Sequence, residues 1–336
     1  MGEEAVEQLR SGLSAILAAQ RHDAAEFSRH VNPDVDPEWL IDGCQEICVA
    51  LAAHAATIGW QRPEVDVSNV FASLDMVSEP DLVCTPAEAS LTMTGEQLAH
   101  WIEESTSTVF FGGAGMSTES GIPDFRSAGG LYTTQHDLPF PAEYMLSHSC
   151  LVEHPAEFFD FYRTYLVHPQ ARPNAGHRAL AALERAGQVS TIITQNIDGL
   201  HQEAGSRQVI ELHGSVHRNR CLACGRAHPL SVIMDAPGVP RCSCGGMVRP
   251  EVVLYEESLR SQDLDNATTA ISTADLLIVG GTSLNVYPAA ALLRFFRGRH
   301  LVFINREATG YDRAADLVIH DGLGKTLSAV QRAVMP

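Results

Sequence analysis

The spacing of apolar positions changes along the chain. Val6, Leu9, Leu13, Ile16 and Leu17 recur at helical intervals, and Asp36-Pro37 reads as an N-cap followed by proline at the first helical position. A second stripe follows it: Leu40, Cys44, Ile47, Cys48, Leu51 and Ile58. Residues 1–76 are therefore predicted to be an α-helical N-terminal region whose apolar stripe packs on a partner helix or on the main body. Residues 77–90, VSEPDLVCTPAEAS, carry two prolines and little periodicity and read as a linker. From Leu91 the pattern becomes one of helices alternating with short β-branched runs. Thr94…Gln97 has the spacing of a capping box ahead of Leu98, Trp101 and Ile102. Strands are predicted at Thr108–Phe111, Thr191–Thr194, Leu276–Val279, Leu301–Ile304 and Leu317–Ile319. Each run is short and apolar, as strands covered on both faces are. The expected fold of residues 91–336 is thus α/β, a Rossmann-like doubly wound parallel sheet.

Composition narrows the function classes. The chain has 336 residues, 45% of them hydrophobic, and a net charge of −18. Sixteen acidic and four basic residues place −12 of that charge in the first 90 positions. Such a balance argues against a protein that grips nucleic acid by its phosphates. No apolar run approaches the ~20 residues that cross a bilayer, and the opening MGEEAVEQLR is acidic where a signal peptide is positive, so a cytoplasmic location with no membrane partner is expected. Lys325 is the one lysine among 23 cationic residues and receives no function.

Eight cysteines without a secretion signal are read for metal before disulfides. Cys221-x-x-Cys224 and Cys242-x-Cys244, 17 residues apart, have the separation of two knuckles closing on one tetrahedral zinc. Four thiolates leave no open position, so such a metal is structural; buried free thiols are the alternative. Cys44 and Cys48 share a helical face without a second pair and read as core.

The strand Thr108–Phe111 runs directly into Gly112-Gly113-Ala114-Gly115, the strand-to-turn context of a phosphate cradle. Yet the third glycine of the dinucleotide fingerprint is replaced by Thr118, and no acidic residue follows about 20 positions on at the end of a second strand. A hydride-transfer dehydrogenase fits poorly. The loop continues through Ser117, Thr118, Glu119 and Ser120 to Asp124-Phe125-Arg126, which reads either as a ligand-facing segment or as a surface ion pair flanking a core ring. Further on come Thr194-Gln195-Asn196-Ile197-Asp198-Gly199-Leu200-His201, after a strand end, and Glu211-Leu212-His213-Gly214-Ser215.

Taken in order, GAGMSTESGIPDFRS, TQNIDGLH, ELHGS, the four cysteines, GTSLNVYPAA and INREATGYD resemble the sirtuin family of NAD-dependent protein deacylases over roughly residues 91–336. The resemblance implies a zinc module near 217–250 and a small helical module near 128–186. It also implies chemistry in which an acyl-lysine amide oxygen attacks C1′ of the nicotinamide ribose, nicotinamide leaves, and the acyl group ends on ADP-ribose. NAD is the implied co-substrate, zinc the structural metal and an acetylated protein the partner. His213 matches the catalytic histidine, and imidazole, with an ordinary pKa near ~6.5, suits a general base at neutral pH. Asn196 and Asp198 match residues around the nicotinamide carboxamide and a positioned water, with Ile197 between them, and Gln195 a ribose contact. Gly113, Ala114, Gly115 and Thr118 match the phosphate-side loop. Asp124 lies beside Phe125, the ring that screens the sugar carbon, and Arg126, the cation near the diphosphate. Gly280, Thr282 and Ser283 match phosphate or ribose contacts, and Asn305 and Glu307 the adenosine ribose. His201 is read as capping or orienting a turn.

The peptide is expected to enter as a strand between Val252-Val253-Leu254-Tyr255 and Leu284-Asn285-Val286. Where the family has a glycine, this chain has Glu256, which restricts the backbone and adds a carboxylate, so basic residues flanking the target lysine are favoured. Desuccinylating relatives carry Tyr-x-x-Arg; here the stretch is Tyr162-Arg163-Thr164-Tyr165, which favours acetyl or another neutral acyl group unless Arg163 reaches in from its neighbouring position. The competing reading is ADP-ribosyl transfer or NAD hydrolysis in the same pocket, and a third is a non-catalytic NAD-sensing module.

Overall fold

The computed structural model describes residues 87–125, 127, 129–133, 138–284 and 289–335. The predicted N-terminal helices, most of the predicted linker, Arg126, Asn285 and Val286 lie outside them. The first described element is helix α1, Ala87–Glu104. Positions 94 and 97 fall inside it, so the capping-box spacing does not mark its start, and the linker expected to reach residue 90 is helical from 87. In sequence terms the stop signal at Pro86 carries more weight than a Thr-x-x-Gln match, because nothing between 87 and 94 breaks a helix.

The strands follow as β1 Thr108–Gly112, β2 Thr191–Thr194, β3 Val209–Glu211, β4 Gly214–Cys221, β5 Ala227–His228, β6 Val248–Val252, β7 Leu276–Gly280, β8 His300–Ile304 and β9 Leu317–Ile319. The remaining helices are α2 Ala142–Met145, α3 His148–Glu153, α4 Pro155–Phe161, α5 Ala175–Arg185, α6 Leu200–Glu203, α7 Ser231–Met234, α8 Ser261–Thr273 and α9 Leu323–Val334. One six-stranded parallel sheet has the order β3-β2-β1-β7-β8-β9. All five predicted strands belong to it.

Its strands alternate between two cores, as the period of two demands. Phe110, Ile192, Ile278, Val302 and Ile304 face α1, α5 and α9, which contribute Leu98, Ile102, Leu180, Leu183, Leu327 and Val330. Val109, Phe111, Ile193, Leu277, Val279 and Phe303 face the opposite layer with Ala267 and Ile271 of α8. β1 and β7 are buried along their whole length. The chain leaves β1 toward β2 and β3 but leaves β7 toward β8 and β9, so the switch point lies between β1 and β7, and ligands of open α/β sheets bind outside such carboxyl ends.

A three-stranded antiparallel sheet, β5-β4-β6, packs with α2, α3, α4 and α7 around a third core that includes Phe158, Phe159, Phe161, Tyr162, Val216, Val248 and Leu254. The helical module expected to extend to about residue 186 therefore divides: the segment through Val167 joins this core, whereas α5 covers the large sheet. Pro250 is tolerated in β6 because β6 is an edge strand.

Candidate active site

A cavity of about 880 Å³ opens at the switch point between the large sheet and the smaller module, near the upper end of the range for small-molecule sites. Its floor consists of two interlocked turns. The Gly113 N–H donates to the Gly280 carbonyl at 3.2 Å and the Gly115 N–H to the Gly281 carbonyl at 2.8 Å. A Cβ at Gly115 would lie 2.7 Å from Gly281 Cα, and one at Gly281, whose φ is +61°, 2.5 Å from Met116 N. These glycines are required by the approach of loop to loop. Gly113 and Gly280 stand behind the cavity wall, while Ala114, Gly115 and Thr118 line it. Thr118 Oγ1 donates back to the Gly115 carbonyl at 3.0 Å and so fixes its turn.

Residues 195–198 leave β2 along the next wall. Asn196 Nδ2 donates to Ser117 Oγ at 3.0 Å, and Ser117 Oγ donates to Asp198 Oδ2 at 2.6 Å. The other carboxylate oxygen accepts the Leu200 N–H at 2.9 Å. The amide and the carboxylate singled out in the sequence thus meet through buried Ser117, one of the loop hydroxyls named in the sequence without a role of its own. Ile197 lines the same wall.

His213 follows β3 and reaches the cavity half-buried. Its Nδ1–H donates to the Gln195 carbonyl at 2.8 Å, which leaves Nε2 as the unprotonated nitrogen. Burial lowers its pKa below the ordinary value, and the Gln195 carbonyl offsets part of that effect. The ring is therefore neutral and basic at physiological pH. Gln195 Nε2 donates to Thr282 Oγ1 at 3.1 Å, joining this wall to the β7 loop.

The far wall comes from β7 and β8. The Thr282 N–H donates to Asn305 Oδ1 at 3.0 Å, but Asn305 Nδ2 is buried without a hydrogen-bond partner. A buried amide donor without a protein acceptor matches a ligand hydroxyl or ring nitrogen. Ser283 and Glu307 line the same end, exposed. Asp124 and Phe125 line the opposite side; Asp124 Oδ1 is occupied by the Ser127 N–H at 3.0 Å and the Ser127 hydroxyl at 2.7 Å, so this carboxylate shapes the loop.

Val252 to Tyr255 border the cavity, with the Val253 N–H on the His213 carbonyl at 2.9 Å. Leu284 does not join them: its side chain is 1% exposed in the sheet core. Glu256 keeps the left-handed backbone expected of glycine, φ +72°. Its Oε2 accepts the Ser149 N–H at 2.9 Å and the Ser149 hydroxyl at 2.7 Å at the start of α3, interactions that hold a conformation unfavourable to a side chain and lower its pKa. Glu257 is buried further. Arg249 binds it through both terminal nitrogens at 2.6 and 3.0 Å, and the Leu254 N–H and His148 Nδ1 complete its shell.

Arg163 does not reach the cavity. Nε donates to the Ile233 carbonyl and Nη1 to Asp160, both at 2.9 Å, and Nη2 to the Gly238 carbonyl. Tyr162 and Tyr165, on either side of it in the chain, do line the cavity. His201 caps nothing: both ring nitrogens are buried without partners, its ring packs edge-on to His177 at 4.8 Å, and burial, with His177 beside it, lowers its pKa to about 3.

The four cysteine sulfurs lie within 4.8 Å of one another, with Cys221 and Cys244 at 3.5 Å and Cys224 and Cys242 at 3.8 Å. Tetrahedral zinc with Zn–S near ~2.3 Å requires sulfurs about 3.8 Å apart, so the set fits that ion.

The Sir2 family model matches residues 113–288. The chain is 54% identical over 236 residues, 70% of its length, to an NAD-dependent protein deacetylase of Clostridium acetobutylicum, of which 96% is covered. This chain belongs to the Sir2 family. It is also 43% identical to a Staphylococcus aureus NAD-dependent protein deacetylase over 68% of this Sir2 chain and 94% of the relative. Among solved structures, Sir2 with a deacetylated p53 peptide and 3′-O-acetyl ADP ribose is 36% identical with a TM-score of 0.66, covering 71% of this chain and 98% of that one. A Sir2 homologue–NAD complex is likewise 36% identical, with a TM-score of 0.64, covering 71% and 93%.

Proposed function

We propose that this chain removes acetyl or other neutral acyl groups from protein lysines, consuming NAD. The observation that carries the reading is His213: a neutral imidazole, oriented through Nδ1 by the Gln195 carbonyl and with Nε2 unprotonated, in the cavity that also contains the Ser117–Asn196–Asp198 network. NAD, when bound, supplies the electrophilic sugar carbon and the ADP-ribose that accepts the acyl group. His213 takes the proton from a ribose hydroxyl as that oxygen becomes a nucleophile. Asn196 and Asp198 orient the carboxamide end, with Ser117 fixing both. Asn305, whose Nδ2 lacks a partner, together with Thr282, Ser283 and Glu307, holds the adenosine end; Ala114, Gly115, Thr118 and Arg126 hold the diphosphate. Cys221, Cys224, Cys242 and Cys244 hold a structural zinc.

The peptide lies along Val253–Tyr255, adding a strand by main-chain bonds. Neutral acyl groups are preferred because Arg163 is engaged elsewhere, while Tyr162 and Tyr165 line the cavity. Glu256 favours a basic residue beside the target lysine. The fold carries no helix long and apolar enough to cross a membrane among the described residues. The test is mass spectrometry of products from NAD with an acyl-peptide panel, beside His213→Ala. The expected products are nicotinamide, free lysine peptide and O-acyl-ADP-ribose, with deacylated peptide and O-acyl-ADP-ribose reduced by about 10²–10⁴ in the variant; nicotinamide release independent of peptide would favour NAD hydrolysis or ADP-ribosyl transfer instead.

A further inference from the structure

Tyr132 and Tyr255 hold their hydroxyls 3.0 Å apart on the solvent side of the cavity, which both residues line. The two partners belong to different walls. Tyr255 is fixed through its backbone: its N–H donates to the Leu146 carbonyl and its carbonyl accepts the His148 N–H, both at 3.0 Å. Tyr132 closes the loop that begins at Asp124. The Leu131 N–H donates to the Asp124 carbonyl at 2.8 Å, the Tyr132 N–H donates to the Phe125 carbonyl at 2.9 Å, and the Phe125 and Tyr132 rings pack at 5.3 Å.

A continuous chain of contacts therefore runs from the peptide-bordering segment through two hydroxyls to the Phe125 ring. We infer that the Tyr132–Tyr255 hydroxyl pair is a strut that positions Phe125 over the reacting sugar carbon, with Tyr132 and Tyr255 as positioning residues. The inference rests on the deacylase reading for its consequence, though the strut itself does not depend on any ligand. Phe125 and Tyr132 pack against the core of the smaller module, and the strut adds a polar tie from that assembly to a post bonded through both its N–H and its carbonyl to the 146–148 segment. Losing one hydroxyl leaves both rings packed but releases the tie. Phe125 then screens the sugar carbon less well, and returning nicotinamide competes better with acyl transfer.

Tyr132→Phe, Tyr255→Phe and the double variant test this in two ways. In cofactor-free protein, hydrogen exchange at the Leu131 and Tyr132 amides should accelerate by about two- to fivefold in each single variant, the scale set by one hydrogen bond, and no further in the double variant. With NAD and an acetyl-peptide, the ratio of labelled-nicotinamide exchange to acyl transfer should rise by a similar factor in all three, whereas a role in peptide contact alone would move only KM in Tyr255→Phe. Unchanged amide exchange, additive effects in the double variant, or a ratio within 1.5-fold of wild type would overturn the strut. Absence of deacylation in the wild type would count against the functional reading, and the cofactor-free exchange data would still decide the strut.

Discussion

Glu257→Gln is expected to lower stability sharply, and the structure supplies the magnitude. The carboxylate is 20% exposed and faces Arg249, whose side chain is 11% exposed. Burial alone would raise its pKa; hydrogen bonds from Arg249, the Leu254 N–H and His148, with the Arg249 charge, outweigh that and hold it down at about 2, against an ordinary 4.5. A displacement of that size corresponds to about 3 kcal/mol of folding free energy. The sign follows from the depression: the stabilisation is fully present above pH 4.5 and is lost as the pH falls toward 2. Glutamine keeps the shape but leaves the Arg249 guanidinium buried beside a neutral amide, a loss of about 3–5 kcal/mol for a broken buried pair. For a domain of this size that lowers Tm by roughly 6–15 °C. Urea unfolding should give a difference between wild type and variant that is no smaller at pH 5.5 than at pH 7, His148 being a further partner of the carboxylate. Adding Arg249→Met should recover part of the loss, since it removes the unpaired charge. A difference below 1 kcal/mol, or one that shrinks between pH 7 and 5.5, refutes the reasoning.

His213→Ala should reduce kcat by about 10²–10⁴, and the acid limb of the wild-type profile should fall below pH ~6.5, because burial lowers this imidazole's pKa and keeps its base form present in mild acid; an acid limb above that value contradicts the proposed base. Gly281→Ala combines a left-handed backbone with a Cβ 2.5 Å from Met116 N, so a loss of about 2–4 kcal/mol by urea titration is expected, together with a higher KM for NAD. Cys224→Ser should reduce zinc, measured by elemental analysis, from one equivalent per chain to a small fraction and unfold the small module in near-ultraviolet circular dichroism, while the large sheet retains its far-ultraviolet signal.

What the sequence made legible was whatever depended on local pattern. Five of the six strands of the large sheet are readable because each is a short run of apolar and β-branched residues, as with Leu276–Val279 inside β7. β3 was missed because three residues ending in a glutamate carry too little pattern. β4 and β6 were missed because GSVHRNRC is mostly polar and VRPEV contains a proline that only an edge position permits. Most proposed site residues converge on one cavity, since motifs at strand ends are gathered by the parallel topology. Leu284 departs because a φ of +57° turns the chain there and its side chain enters the core. The bridging role of Ser117, the role of Tyr132 and the engagement of Arg163 are not readable, because each is defined by a partner distant in sequence, 81 residues away for Ser117 and Asp198.

The clasp between the two glycine turns also limits how this scaffold can diversify. Gly113 and Gly115 fasten the open ends of β1 and β7 to each other, so the crevice cannot widen there, and a side chain at Gly113, Gly115 or Gly281 would require the facing turn to retreat at the same time. Altered ligand preference is therefore expected from exposed positions elsewhere on the cavity lining, such as Pro123 and Tyr255, rather than from these turns.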